Sequence, residues 1–276
     1  MALLHKYKKY IYAVCHVNYN KRESAVRDQK IVEDYCKKNK IKLFVKKATK
    51  LDYQKTKSNN FQTIARLIRY DFFSNISKKI KINQILIAHN LDDFVETAYM
   101  QFKRNTKCLF YGIPKKSKYK NLLISRPLLN KRKKELENYC LSKSIPFGID
   151  ETNLTNMYER NIVRKEINKW NPVKFNSFLN KVTSLNKKNS LLLKSVNLWF
   201  KKWLDTNYSI DTFASSPTNI KPHLIYKFLS SIDIHKTSKD KISNIEKFIL
   251  SSKTNTKYRV GNNKYLIKNK INISIY

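Results

Sequence analysis

Apolar and polar positions along the chain keep one rhythm up to about residue 170 and another beyond it. Tyr10 to Asn18 is a β-branched and aromatic run that predicts a strand. Ser24 to Lys40 predicts a helix, with Val26, Ile31, Tyr35 and Cys36 as inward candidates, and Ile41 to Val45 a second short strand. Phe61 to Ile80 is helical, its stripe being Phe61, Ile64, Ile68 and Phe72, while Arg66, Arg69 and Phe73 take another face that points away from the core. Ile85 to Ala88 is too short for a helix and reads as a buried parallel strand. Lys115 to Asn121 reads as a lysine-rich loop, Leu122 to Ser125 as a strand, and Lys131 to Lys143 as a helix stopped by Ile145-Pro146. The βαβα alternation predicts an α/β fold with a doubly wound parallel sheet and right-handed crossovers. Beyond it lie longer helical stretches rich in Leu, Phe and Trp, then Tyr258 to Lys268, a hairpin turning at Gly261-Asn262. The division expected is residues 1–170 as one domain and 171–276 as a smaller, mostly helical one ending in that hairpin.

One block concentrates the candidate chemistry. After the strand at Ile85, His89 is followed by a helix with Leu91, Val95, Ala98 and Phe102 inward and Asp92, Asp93, Glu96 and Thr97 polar. Open α/β sheets bind ligands beyond the carboxyl ends of their strands, which is where this cluster falls. Asn90 is a good N-cap, and Asp92 and Asp93 favour the helix dipole. Capping accounts for those two carboxylates but leaves His89 and Glu96 unexplained.

Composition narrows the class. The net charge of +37 points to a polyanion such as nucleic acid, although a lysine-rich compositional bias would also give a solvated cationic surface. No apolar run is long enough to span a bilayer, so no membrane role is expected, and the opening residues make no secretory signal. Cys15, Cys36, Cys108 and Cys140 are scattered without a C-x-x-C pair, which argues against zinc, iron–sulfur or disulfide frameworks and for a reducing, cytoplasmic setting. Trp199 and Trp203, four apart, mark a core helix face more than a base-stacking platform.

Several separated blocks together resemble the tRNA(Ile)-lysidine synthetase family of PP-loop ATP pyrophosphatases. They are His16-Val-Asn18, Ala65-Arg66 with Arg69-Tyr70, Ala88-His89 through Asp92-Asp93 to Glu96-Thr97, Arg104-Asn-Thr106, Arg126-Pro-Leu-Leu129, Asp150-Glu-Thr-Asn153, and Arg160-Asn161 with Arg164. The family's Ser-Gly-Gly-x-Asp-Ser phosphate loop is absent: the three glycines are Gly112, Gly148 and Gly261. Met1-Ala2-Leu3-Leu4 resembles the residues that come after that loop, so the resemblance implies that a first strand and its ATP loop belong upstream of a start placed too late. A degenerate, inactive relative is the rival expectation. An open sheet edge predicts poor stability for residues 1–276 alone.

The resemblance implies ATP as cofactor with Mg²⁺, a tRNA(Ile) with a CAU anticodon and free L-lysine as substrates, and ligation of lysine to C2 of the wobble cytidine. It is compatible with a homodimer. It makes His89, Asp92, Asp93 and Glu96 catalytic candidates, Asp93 and Glu96 the lysine site, and Asp92, or Glu96 in its place, the magnesium ligand. Arg66, Arg69, Arg104, Arg160 and Arg164 become contacts for tRNA or phosphate, since guanidinium forks match phosphate oxygens. Arg160 and Arg164 would share one helical face as a basic pair. The alternatives are a non-catalytic basic RNA-binding derivative and a tRNA thiolation enzyme on the same fold.

Overall fold

The computed structural model describes residues 1–6, 12–21, 24–54, 61–104, 108–148, 159–232, 234, 237–261 and 263–276. The sequence blocks at Asn105-Thr106 and Asp150 to Asn153, and Asn262 of the expected hairpin turn, lie outside the described residues. The chain divides into two compact units, one of residues 1–107 and 111–179, the other of 108–110 and 180–276.

The first unit runs α1 (Ala2–Lys6), β1 (Ala13–Asn18), α2 (Ser24–Lys38), β2 (Lys42–Lys47), α3 (Lys50–Gln54), α4 (Phe61–Ile80), β3 (Gln84–Leu86) and α5 (Leu91–Lys103). β4 (Lys116–Tyr119), β5 (Leu122–Ser125), α6 (Lys133–Ser142) and α7 (Glu159–Asn168) come next, then α8 (Pro172–Lys188), which runs on past the end of this unit. β1 pairs parallel with β2, and β3 parallel with β5, whose other edge takes β4 antiparallel. This is the expected α/β architecture with a parallel sheet.

Four expectations change in detail. Lys115 to Asn121 contributes an edge strand, not a loop: β4 alternates outward lysines with Ser117 and Tyr119, and Tyr119 packs on Tyr70 with ring centroids 4.8 Å apart. Val26 is 65% exposed, because the inward stripe of α2 passes through Ala25 and Cys36. Arg69 does not simply point away from the core, since its Nε is buried. β3 is less buried than its composition suggests, with Leu86 42% exposed. β1 and β3 both line a cavity of about 560 Å³, walled by Val14, Cys15, Phe73, Ile76, Ile85 and Leu86. Burial there pushes the Cys15 thiol up to about 11.

α5 is the element that positions the site. Val95 and Ala98 are fully buried and Phe94 nearly so, which fixes the rotation of the helix. Phe94 also explains Gly112, whose φ is +85° and where a Cβ would stand 2.4 Å from the Phe94 ring. The Gly112 N–H donates to Gln101 Oε1 at 2.7 Å, tying that turn to α5.

The second unit holds α9 (Ser190–Asp205), α10 (Ile210–Ala214), α11 (Lys221–Ser231), α12 (Lys239–Leu250), β6 (Thr256–Gly261), β7 (Lys264–Lys268) and β8 (Ile273–Ile275). The hairpin β6–β7 gains a third antiparallel strand, β8, that the sequence pattern does not reveal. Trp203 is fully buried among Phe213, Phe228 and Tyr208, and its Nε1 donates to the Ser209 carbonyl at 3.0 Å, so it is core. Lys268 is 2% exposed and donates to the carbonyls of Phe248 and Ser251, closing the C-terminal end of α12. Several turns adopt the left-handed conformation without glycine, Lys40 after α2 and Lys81 after α4 among them.

Candidate active site

Asn90 caps α5 through a full capping box: its side chain accepts from the Asp93 N–H at 3.0 Å, and Asp93 Oδ2 accepts from the Asn90 N–H at 2.9 Å. The capping reading of Asp93 is therefore correct, yet its second oxygen is spent elsewhere. Asp93 Oδ1 accepts from Arg160 Nη2 at 2.7 Å.

One turn further along α5, Glu96 is 3% exposed. Its Oε2 accepts from Arg160 Nε at 2.8 Å and Arg164 Nη2 at 3.1 Å, and its Oε1 from Arg164 Nε at 2.6 Å. The i, i+4 spacing on α7 presents both guanidiniums to one stretch of α5. The carboxylates expected to receive lysine and the arginines expected to receive tRNA are thus each other's partners. Two anions face two cations, so this network is close to neutral, and an incoming ammonium would have to exchange with a guanidinium.

Asp92 leaves the cluster. Its carboxylate accepts from Arg132 Nη2 at 2.9 Å, from Arg132 Nε at 3.1 Å and from the Lys133 N–H at 2.7 Å. It anchors the start of α6, where a negative charge meets the helix N-terminus favourably. Four-residue spacing stacks Asp92 near Glu96 on a helix, but one full turn and a neighbouring element separate their surroundings. Among the described residues no group of three or more His, Cys, Asp or Glu side chains could hold a metal ion. With both oxygens engaged by Arg132 and the Lys133 N–H, Asp92 does not fit a magnesium ligand in this arrangement. Thr97 turns its hydroxyl back to the Asp93 carbonyl at 2.8 Å.

Sequence reading missed Arg126 as a separate actor. It ends β5, is 4% exposed, and donates to neutral acceptors. Nη1 donates to the Pro114 carbonyl at 2.7 Å and to Ser117 Oγ at 3.0 Å, and Nε donates to His89 Nδ1 at 3.1 Å. The dipeptide Arg126-Pro127 was the available signal, a cation fixed at the carboxyl end of a buried strand. Burial, and after it the charges of Arg126, Arg160 and Arg69, outweigh Asp93 and lower His89 to about 4. His89 therefore stays neutral at ordinary pH.

The remaining arginines scatter. Arg66 is exposed, its guanidinium 4.4 Å from the Tyr70 ring centroid. Arg69 lies 5.8 Å from the same ring, and its buried Nε has no hydrogen-bond partner. Arg104 closes α5 and pairs with Glu159 at the start of α7, well exposed to solvent. Around His89, the charges of Arg69 and Arg126 have no carboxylate paired with them among the described ion pairs, so this corner of the site favours an anion.

A PP-loop domain model matches residues 1–170. The tRNA(Ile)-lysidine synthase of Malacoplasma penetrans is 47% identical over 98% of this chain and 92% of its own length. The chain belongs to the tRNA(Ile)-lysidine synthase family. Its relative of that name in Ureaplasma parvum is 42% identical, covering 96% of this chain and 80% of that protein, and the one in Mycoplasma pneumoniae is 36% identical over 90% and 84%. Among solved structures, the U34-tRNA thiolase NcsA of Methanococcus maripaludis with its [4Fe-4S] cluster superposes with a TM-score of 0.54 at 18% identity. That match covers 70% of this chain and 67% of the thiolase, and the likeness speaks to the fold alone.

Proposed function

We propose that the chain ligates lysine to C2 of the wobble cytidine of a tRNA(Ile) with a CAU anticodon, with ATP as the activating cofactor. The C2 carbonyl oxygen of the cytidine takes the adenylyl group of ATP with release of pyrophosphate; the side-chain amine of lysine then bonds to C2 and gives up a proton, and AMP leaves carrying that oxygen. The observation that carries this reading is the paired acid site on α5, in a PP-loop domain whose relatives bear the name tRNA(Ile)-lysidine synthase.

The roles divide by charge. Asp93 and Glu96 are the lysine-recognising pair; Arg160 and Arg164 hold them oriented until an ammonium takes over part of their coordination. Arg69 and Arg126 favour the phosphates of ATP or of the adenylated base, since unmatched guanidiniums in a half-buried corner gain most from an anion. Mg²⁺ would come with the nucleotide, whose phosphate oxygens supply much of its coordination. Arg66 and the surplus of lysines support binding of the tRNA backbone.

Two other readings lose ground. Sulfur transfer by an iron–sulfur enzyme needs a cysteine cluster, and Cys15, Cys36, Cys108 and Cys140 are all free and give no metal-holding group among the described residues. A purely RNA-binding role is at odds with relatives named tRNA(Ile)-lysidine synthase that match nearly the whole chain. The test is modification of a tRNA(Ile) transcript with a CAU anticodon. ATP- and lysine-dependent formation of lysidine with pyrophosphate release is expected. Incorporation of a different amino acid, sulfur transfer, or salt-sensitive binding without pyrophosphate release would overturn the proposal.

A further inference from the structure

We propose that Arg126 is a positioning residue that fixes His89 as the neutral imidazole protonated on Nε2, making it a standing N–H donor at the carboxyl end of β3.

A neutral histidine has one nitrogen that donates and one that accepts, and its neighbours decide which is which. A guanidinium has only donors. When Arg126 Nε–H points at His89 Nδ1 across 3.1 Å, Nδ1 must be the acceptor, which leaves the proton on Nε2. The arginine cannot swing away freely. It is 4% exposed, and the Pro114 carbonyl at 2.7 Å and Ser117 Oγ at 3.0 Å hold the other arm of the fork. These anchors sit on and just before β4, and Arg126 N–H itself donates to the Lys115 carbonyl at 2.9 Å, so the small edge strand serves as a bracket for the guanidinium.

The same geometry opposes the imidazolium. Protonating Nδ1 would set an N–H against a guanidinium N–H and add a charge beside Arg126, Arg160 and Arg69, with Asp93 the one acid among the described residues that acts on the ring. Asp93 is itself held by Arg160 at 2.7 Å, which weakens its pull on His89. The ring is therefore a hydrogen-bond donor and not an acid–base catalyst near neutral pH. A fixed donor of this kind suits a developing negative charge on phosphate or on the base being adenylated. This last consequence rests on the proposed ligation reaction; the tautomer does not.

The experiment is ¹⁵N NMR of the full chain labelled in histidine, which has five such residues, with His89 assigned by its loss in His89→Gln. The expected spectrum shows His89 protonated on Nε2 alone from about pH 8 down to about pH 5, the interval in which unperturbed histidines titrate. A spectrum of the wild-type chain showing the proton on Nδ1, or an imidazolium forming within that interval, overturns the inference without any variant. In Arg126→Met the signal should become a mixture of tautomers and titrate closer to the ordinary value of about 6.5. An unchanged tautomer and titration in a folded Arg126→Met would also overturn it. Should Arg126→Met not fold, Arg126→Gln, whose neutral amide can accept as well as donate, serves the same purpose, with a mixed tautomer expected and an unchanged tautomer and titration counting against the inference.

A kinetic readout separates this inference from the reaction itself. The amide of His89→Gln places its N–H₂ near the Nε2 position, whereas His89→Asn retains an acceptor for Arg126 and offers nothing further out. kcat for lysidine formation should fall at least about tenfold more in His89→Asn than in His89→Gln, with the KM for lysine little changed, as for a lost donor to a developing oxyanion. Equal kcat losses with the Nε2–H tautomer confirmed by NMR would sink the catalytic consequence and leave the positioning intact.

Discussion

Removing the carboxylate of Glu96 gives the sharpest measure of how the site is held. In Glu96→Ala three charge-assisted hydrogen bonds vanish, two from Arg164 and one from Arg160. At about 1.5–3 kcal/mol each they would sum to more than about 4 kcal/mol if independent. They are not independent, and the arginine side chains are 30% and 23% exposed, so water takes back part of the loss. Arg160 also keeps Asp93. The low end of the range for breaking a buried ion pair, about 3 kcal/mol, is the expected cost. Glu96→Gln preserves shape and one acceptor, so about 1–2 kcal/mol is expected there. Native-state hydrogen exchange of the α7 amides reads this locally, and about 3 kcal/mol corresponds to a roughly hundredfold loss of protection. A double-mutant cycle with Arg164→Met should return a coupling of about 1–3 kcal/mol. A loss below about 1 kcal/mol in Glu96→Ala, or equal losses for Gln and Ala, would refute the claim that these ion pairs clamp α7 onto α5.

Asp93→Asn should raise the KM for lysine about tenfold or more with a smaller effect on kcat, as read by steady-state ligation, because it weakens a contact to bound lysine that persists to the transition state. Stability should fall as the pH drops: His89 is held at about 4 when folded against an ordinary value of about 6.5, so the unfolded chain takes up the proton first and stability is lost from about pH 6.5 down to about 4. Denaturant melts across that range should show a shallower decline in His89→Gln. Lys268→Met should lower the melting point of the second unit by several degrees, the cost being about 2 kcal/mol for leaving the carbonyls of Phe248 and Ser251 unpaired, and an unchanged melt would show that water replaces the amine. In tRNA binding, Arg66→Ala should reduce the slope of log affinity against log salt by about one, whereas Arg104→Ala, whose charge Glu159 already offsets, should change it less.

Much of the fold was legible because its signals are local. Periodicity located β1, α2, α4, α5 and β5 within a few residues, and the Gly261 turn located the hairpin β6–β7. β4 escaped because its outward face is lysine, which depresses any strand signal on an exposed edge. β8 is a three-residue segment that acquires its identity from pairing with β7. In the site, the residues themselves were legible but their pairing was not. Helical spacing groups Asp92 with Glu96, while packing assigns Asp92 to α6 and Glu96 to α7. Sequence distance hides such partners: Glu96 and Arg164 are 68 residues apart. Arg126 went unsingled because burial, not residue type, makes a cation informative, and burial is a tertiary property.

The turns after α2 and α4 show what a near-absence of glycine does to such a fold. Lys40 and Lys81 hold φ of 53° and 56°, a conformation that costs a side-chain-bearing residue about 1 kcal/mol. Glycine would remove that strain, but it would also enlarge the freedom of the unfolded chain by about 0.4–1 kcal/mol, and lysine adds a favourable charge at the negative end of the helix. The two choices come out nearly even. A coding bias that replaces glycine with lysine or asparagine can therefore pass through helix ends almost unopposed, and meets real resistance at a position such as Gly112, where an aromatic ring already occupies the space.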